Sequence, residues 1–111
     1  MPFSIRPHRR FALCCPVTYH VGLLQEGRGT VWNLSVNGWC LSGDVPLIVG
    51  KTYPLFVHVP NQLSLVVAGA IVRWVRGQEY GLETLVMDKQ TQSRVEQLVH
   101  HLEQAALESI E

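Results

Sequence analysis

Six short runs rich in β-branched, aromatic and other apolar residues are the feature that most restricts the fold of this chain. We predict strands over residues 12–21, 28–32, 39–42, 52–59, 63–75 and 80–86, each bounded by glycine, proline or polar residues. Short strands joined by turn signals at this spacing are typical of an antiparallel sheet or a small barrel. A length of 111 residues suits one domain with its own core.

Details within these runs predict where regular pairing breaks. Pro16 predicts an edge position or a bulge, and the Ala-Gly-Ala sequence at 68–70 predicts a bulge or a barrel bend. Residues 22–29 are polar and contain glycine, so we predict a loop there. The run at 52–59 alternates, which predicts that one face of its strand carries Leu55, Val57 and Val59 and the other carries Phe56 and His58.

The pattern changes to helical spacing after Asp88, which we predict to be a helix N-cap. The recurring apolar positions are Val95, Leu98, Val99, Leu102, Ala105, Ala106 and Ile110. They predict an amphipathic helix of about five turns. We favour a lid over an open barrel end; the alternative is a self-association seam, and hence a homodimer formed through the C-terminal helix.

The charges of the chain are separated along the sequence although the formal net charge is zero. Arg6, Arg9 and Arg10 lie in the first ten residues, which contain no acid, whereas most acids follow from Glu79 onwards. Two prolines and no periodicity predict that residues 1–11 form a flexible basic arm, before a barrel domain at 12–111 whose helix begins at about 88. The arm is the candidate anion-binding segment.

Neither a membrane span nor a secretory signal is predicted, because no run of about 18 apolar residues exists and the N-terminus lacks an apolar core segment. We therefore expect a cytoplasmic protein without membrane insertion. Cys14, Cys15 and Cys40 are odd in number and do not form a disulfide framework. The adjacent pair points to opposite strand faces, so we expect buried small apolar residues in a reducing compartment.

A polar turn, defined here as residues 33–38, lies between the second and third predicted strands; its sequence is Asn33-Leu34-Ser35-Val36-Asn37-Gly38. Asn and Ser side chains hydrogen-bond to nearby backbone, and Asn-Gly accepts positive φ, so the plain interpretation is a tight hairpin. The alternative is that Asn33, Ser35 and the open backbone at Gly38 face outward and bind a planar polar ligand.

The position of the basic arm favours the ligand-binding interpretation. Arginine forks bind phosphates and guanine edges bidentately and also stack on flat rings. Strands that are consecutive in a small antiparallel sheet usually pair, so the start of the first strand is level with the end of the second. We therefore expect the arm and the polar turn to converge on one ligand.

The order Arg6-x-x-x-Arg10, a strand, then Asn33-x-Ser35-x-x-Gly38 resembles the two-part signature of PilZ domains, bacterial receptors for cyclic di-GMP. The family pattern is R-x-x-x-R followed some tens of residues later by [D/N]-x-S-x-x-G. Similarity extends to the family's first strand and late hairpin, represented here by residues 11–19, 71–74 and 80–82. The resemblance covers nearly the whole chain.

This resemblance implies a mainly β fold, a six-stranded antiparallel β-barrel with a C-terminal α-helix. It implies that Arg6 and Arg10 clamp the phosphates and guanine of cyclic di-GMP, with Arg9 as a third contact. It also implies that another guanine edge is held by three residues of the polar turn, Asn33, Ser35 and Gly38. The implied function is second-messenger signalling, in which ligand binding alters the arm and regulates an unknown effector protein. The alternative is a PilZ-like protein–protein interaction module that does not bind nucleotide.

Enzymatic activity is not predicted, and no cofactor or metal is expected. The five histidines never fall at metal-ligand spacing, and no catalytic triad, carboxylate pair or phosphate-binding glycine loop is present in the sequence. Cys40 lacks a charged neighbour in sequence that would activate a thiol. A barrel that binds single-stranded nucleic acid through Trp and Arg is a third class, but zero net charge argues against DNA or RNA as partner.

Overall fold

The computed structural model describes residues 11–60, 62 and 64–108 and contains a closed antiparallel barrel of six strands followed by one helix. The strands are β1 (Phe11–His20), β2 (Glu26–Leu34), β3 (Gly38–Gly43), β4 (Thr52–Val57), β5 (Leu65–Arg76) and β6 (Glu79–Val86), and the helix is α1 (Lys89–Glu108). The order around the barrel is β1-β2-β3-β6-β5-β4. The predicted fold class is therefore confirmed.

Alternation of apolar and polar residues fills the barrel, because successive side chains on a strand point to opposite faces. In β4 and just beyond it, Leu55, Val57 and Val59 are buried, whereas His58 is exposed, as the sequence predicts. The largest fully buried side chains come from five strands and the helix: Trp39, Tyr19, Leu34, Leu41, Leu55, Leu65, Val17, Val31, Val57, Val67, Val72 and Val95.

Bulges bend the strands where the sequence contains proline or glycine. The β1–β2 register shifts between Ala12 and Cys15, next to Pro16, and the β5–β6 register shifts between Gly69 and Ala70. A bulge bends a strand and increases its local twist, which helps a sheet of only six strands to close. The predicted bulge at 68–70 is confirmed, and β1 has a bulge close to Pro16, although Pro16 itself pairs regularly with Thr30.

The connection from β3 to β4 crosses one end of the barrel, because these strands are not neighbours in the sheet. The buried hydroxyl of Tyr19 fixes this segment: it donates to the carbonyl oxygen of Val45 at 2.7 Å and accepts from the Val45 N–H at 3.1 Å. The N–H of Ile48 donates to the Tyr53 hydroxyl at 3.1 Å. These bonds satisfy backbone groups that the crossing would otherwise leave unpaired.

Helix α1 begins after Asp88 as predicted, and its first half packs on the barrel. Val95, Leu98 and Val99 are buried, and α1 contacts β5 and β1. Further along, Leu102 is half-buried and Ala105 is exposed. The apolar stripe thus covers barrel surface over its first turns, which agrees with the favoured lid, while the self-association seam remains a prediction.

Several predicted boundaries are wrong by a few residues. Strand β1 begins at Phe11, inside the segment expected to be arm. Strand β2 begins at Glu26 rather than at residue 28, so the predicted loop at 22–29 ends early. The reason is that Gly27 and Gly29 sit in close strand pairing opposite Tyr19 and Val17, where a small residue is needed, and not in a turn.

Replacing Asp88 with alanine is expected to lower the melting temperature at neutral pH, and to lower it less in acid. The Thr91 N–H donates to the Asp88 carboxylate at 2.7 Å, and this bond lowers the pKa of Asp88 below its ordinary 3.8. A carboxyl whose folded pKa is depressed stabilises the fold above its unfolded pKa, and this contribution disappears as pH falls through the folded value. Circular dichroism melts of the native chain and D88A measure the gap at both pH values.

Asp88→Asn is the control for this cap, because an amide oxygen accepts the same hydrogen bond at any pH. We expect D88N to retain most of the native melting temperature at about pH 7. A native-to-D88A gap that is as large in acid as at neutral pH would contradict a contribution of the carboxylate charge to the cap.

Candidate ligand-binding site

The polar turn connects β2 to β3 at the end of the barrel where β1 begins. Strand β2 ends at Leu34 and β3 starts at Gly38, and the Ser35 N–H donates to the Gly38 carbonyl oxygen at 2.9 Å. The turn therefore closes on itself through backbone as a tight hairpin, which is the geometry that the plain interpretation predicts.

Strand β6 holds the polar turn in place from the other side. The Thr84 N–H donates to the Asn37 carbonyl oxygen at 2.9 Å, and the Thr84 hydroxyl accepts from the indole N–H of buried Trp39 at 2.9 Å. Gly38 pairs with Glu83 in the same ladder. Contacts with β3 and β6 hold the turn in one conformation before a ligand arrives. Little conformational entropy is therefore lost when a ligand binds to it.

The three predicted binding residues of the turn differ in exposure. Asn33 is half-buried, whereas Ser35 is 3% exposed and Gly38 is buried. The expectation that all three face outward is therefore wrong for Ser35 and Gly38, because both lie where the chain folds back between β2 and β6. Gly38 also does not adopt positive φ, since it is already a paired residue of β3.

The arginines of the predicted site, Arg6, Arg9 and Arg10, lie outside the described residues. The structure does define the point from which the arm leaves the barrel. Phe11 pairs with Leu34, and Ala12 pairs with Asn33. The first residue of β1 is thus level with the polar turn, as the strand-pairing argument predicts.

A row of four paired residues runs across the outer face of the barrel from the polar turn. Asn33 pairs with Cys40, Cys40 with Gly81, and Gly81 with Trp74. The indole of Trp74 lies directly over Gly81, where any added Cβ would overlap it. The guanidinium carbon of Arg76 lies 5.7 Å from the Trp74 ring centroid. Asn33 therefore shares its face with an aromatic ring and a nearby cation.

An ion pair controls the charge next to Gly38. Glu83, which pairs with Gly38, accepts hydrogen bonds from Arg73, at 2.8 Å from Nε and 2.7 Å from the terminal nitrogen. Both side chains are about half-exposed, so this pair contributes little to stability. Arg73 therefore neutralises the carboxylate that lies next to Gly38, which lowers the repulsion of an anionic ligand.

The sequence argument missed Trp74, Arg73 and Arg76 because their proximity depends on the β3–β6–β5 pairing.

The cysteines and histidines form no site in the described residues. Cys15 and Cys40 are buried and form no disulfide, and burial raises the pKa of the Cys15 thiol, which keeps it protonated. Cys14 is exposed, so the expectation that both members of the pair are buried is wrong for this residue: the two point to opposite faces, and only one face is core. Among residues 11–60, 62 and 64–108 no group of three or more His, Cys, Asp or Glu could hold a metal ion.

The described residues form a small closed antiparallel β-barrel of six strands with one C-terminal helix, and a fixed polar turn lies beside the start of β1. The family model described as the PilZ domain matches residues 4–101. Because this match spans most of the sequence, the chain belongs to the PilZ domain family.

Solved structures with the same fold are distant in sequence. The chain is similar to the PilZ domain of YcgR from Escherichia coli with c-di-GMP, with a TM-score of 0.76 and 13% identity over 95% of this chain and 96% of that one. It is also similar to the inhibitor of motility MotI/DgrA from Bacillus subtilis, with a TM-score of 0.76 and 15% identity. That match covers 96% of this chain but only 53% of MotI, so the chain spans about half of that protein.

A third similar structure is the PilZ domain of CeSA from a cellulose-synthesizing bacterium, with a TM-score of 0.66 and 18% identity over 86% of this chain and 98% of that one. A search of curated proteins gave no significant sequence match. Among the described residues, no helix has the length and apolar character needed to cross a bilayer.

Proposed function

We propose that this protein is a receptor for cyclic di-GMP, with a binding site composed of Arg6, Arg9, Arg10, Asn33, Ser35 and Gly38. The observation that carries the proposal is the register of the first hairpin. Phe11, the last residue of the arginine-containing arm, pairs with Leu34 in the polar turn. The two halves of the family signature are therefore joined to the barrel at the same level. Support also comes from membership of the PilZ family.

The chemistry of the ligand suits this pair of elements. A cyclic dinucleotide presents two anionic phosphates and two flat purines. The arginine forks of the arm supply bidentate donors for phosphate and guanine edges, and they stack on purine faces for about 1–2 kcal/mol once desolvated. The polar turn supplies donors and acceptors that are fixed in advance.

The structure refines the roles within the turn that we propose. Among the three proposed turn residues, Asn33 is half-buried whereas Ser35 and Gly38 are buried, so the Asn33 amide is the candidate for reading a guanine edge. The Ser35 N–H shapes the turn through its bond to Gly38, so we assign Ser35 a share in holding the turn. Gly38 is buried and paired with Glu83, so we assign it the same role of shaping the turn.

The outer-face row extends the proposed site beyond the family signature. Trp74 presents an indole on the same face as Asn33, and Arg76 lies near that ring. Stacking between a nucleobase and an aromatic ring contributes about 1–3 kcal/mol. We therefore expect the tryptophan fluorescence of the protein to change when cyclic di-GMP binds.

Regulation follows from the arm in this proposal. Ligand binding brings the basic arm onto the polar turn and changes the surface that an effector protein contacts. The protein acts as an adaptor without catalysis or cofactor. The second candidate is a protein–protein interaction module that does not bind nucleotide. This candidate is favoured by four exposed aliphatic side chains on the barrel loops, Leu23, Leu24, Ile48 and Val49.

Isothermal titration calorimetry tests the proposal and separates the two candidates. Cyclic di-GMP is titrated into the full chain at physiological salt, with linear di-GMP and other cyclic dinucleotides as controls. We expect saturable binding of cyclic di-GMP with a one- or two-molecule stoichiometry, together with a change in tryptophan fluorescence. No binding, or equal binding of every dinucleotide, contradicts the receptor role and leaves the interaction module.

A further inference from the structure

The end of the barrel opposite the polar turn carries two loops with exposed aliphatic pairs, which we call the aliphatic tips. Leu23 and Leu24 lie between β1 and β2 and are fully exposed. Ile48 and Val49 lie in the β3–β4 connection and are 54% and 56% exposed. Both tips belong to the same end, because β1 ends at His20 opposite Glu26, and the hydroxyl of Tyr19 bonds to Val45 in the connection.

Turn formation does not require these aliphatic side chains. In the first tip, Gly22 takes φ of 100° and the Val21 N–H bonds to the Gln25 carbonyl oxygen at 2.9 Å. In the second, Gly50 takes φ of 87° and the Lys51 N–H bonds to the Ile48 carbonyl oxygen at 3.1 Å. Glycine and backbone hydrogen bonds close both turns, so the aliphatic side chains are not needed to form them. Polar residues are the usual occupants of such turn positions. Four aliphatic side chains in water at one barrel end mark an interaction surface.

The charges around the tips favour a second copy of this chain over an anionic membrane as the partner. All charged residues in segments 21–29, 43–52 and 75–79 are exposed, and they comprise three acids and three bases, Glu26, Arg28, Asp44, Lys51, Arg76 and Glu79. An anionic membrane needs a basic rim in addition to apolar insertion, and this rim is neutral. Across a two-fold axis the same patch faces itself, so a surface with equal numbers of both signs can pair acids with bases.

We propose that the aliphatic tips form an isologous interface with a second copy of this chain. The aliphatic side chains pack at the centre and the six charged residues form the rim, the usual arrangement of an interface. The polar turn and Phe11 lie at the far end of each barrel, so this dimer leaves the polar turn open. Arg76 is the one rim residue that also lies next to Trp74 of the outer-face row. The interface also differs from the predicted seam on α1.

Sedimentation velocity of the full chain from micromolar to millimolar concentration tests the interface. We expect the native chain to shift from monomer to dimer, and we expect L23S/L24S and I48S/V49S each to weaken self-association by about tenfold or more. Both pairs lie on loop tips outside the core, so circular dichroism melts should match the native protein.

Two matched variants distinguish this interface from the alternatives. Leu85→Ser with Val86→Ser removes an equally exposed aliphatic pair on β6 at the opposite end, and Ala105→Glu places a charge on the exposed part of α1. Both should dimerise like the native chain. A native chain that stays monomeric at millimolar concentration overturns the proposal, as does a dimer that survives both tip variants. The test needs no cyclic di-GMP, so its outcome is independent of the proposed receptor role.

Discussion

Gly29→Ala is expected to destabilise the barrel by about 3 kcal/mol or more, which lowers the melting temperature by roughly 15 °C. Gly29 pairs with Val17 on β1 and with Gly43 on β3, and an added Cβ would overlap the backbone carbonyl of Ser42. A backbone atom cannot rotate away like a side chain. Relief therefore requires β2 and β3 to separate, which breaks ladder hydrogen bonds in a closed sheet. Urea titration followed by circular dichroism measures the loss.

Gly69→Ala is the matched control for this prediction, because it adds the same methyl group to another strand glycine. There the new Cβ would meet side-chain atoms, the Thr52 methyl at 3.1 Å and Val86 at 3.6 Å. We expect a change within about 1 kcal/mol. Equal effects of the two substitutions would show that the close contact at Gly29 is not what limits stability.

The sequence predicts the elements of this fold well because their signals are local. Alternation in 52–59 identifies the faces of β4, and the switch to helical spacing after Asp88 places α1. Glycine within 68–70 marks the bulge in β5. Each of these depends on residues within a few positions of one another, so no knowledge of the tertiary structure is needed.

Features that depend on distant pairing could not be predicted in this way. The residues at 26–29 look like loop in sequence because two glycines occur among polar residues, but they pair closely with β1 and extend β2. The crossing from β3 to β4 depends on the hydroxyl of Tyr19, which is distant from Val45 in sequence. Local propensity does not encode either relationship.

The candidate site also contains some features that follow from local sequence and others that depend on distant strand pairing. Consecutive strands usually pair, so the level of Phe11 and the polar turn follows from order alone. Burial of Ser35 and the bonds from Thr84 depend on β6, a strand that comes about 45 residues later in the chain. The position of Trp74 on the face of Asn33 needs two further strand pairings. Sequence therefore predicts the level of Phe11 and the polar turn better than the burial of the side chains in that turn.

Arg10→Ala is expected to weaken cyclic di-GMP binding roughly 100-fold in the proposed receptor, with little change in stability. A bidentate, charge-assisted contact contributes about 1.5–3 kcal/mol, and alanine removes both donors and the stacking surface. Arg10 directly precedes Phe11, the residue that pairs beside the polar turn. Calorimetry of the variant against the native chain measures the loss of affinity, and a thermal melt checks the fold.

Two substitutions determine whether such a loss arises from a specific contact or from charge. Arg28→Ala removes the same charge from an arginine at the opposite end of the barrel, so it should leave affinity nearly unchanged. Arg10→Lys keeps the charge and removes the planar fork, so an affinity between the native and alanine values indicates bidentate or stacked recognition. Equal losses of affinity in R10A and R28A would mean that long-range attraction alone brings the ligand to the barrel, and the arm would then have no specific contact with it.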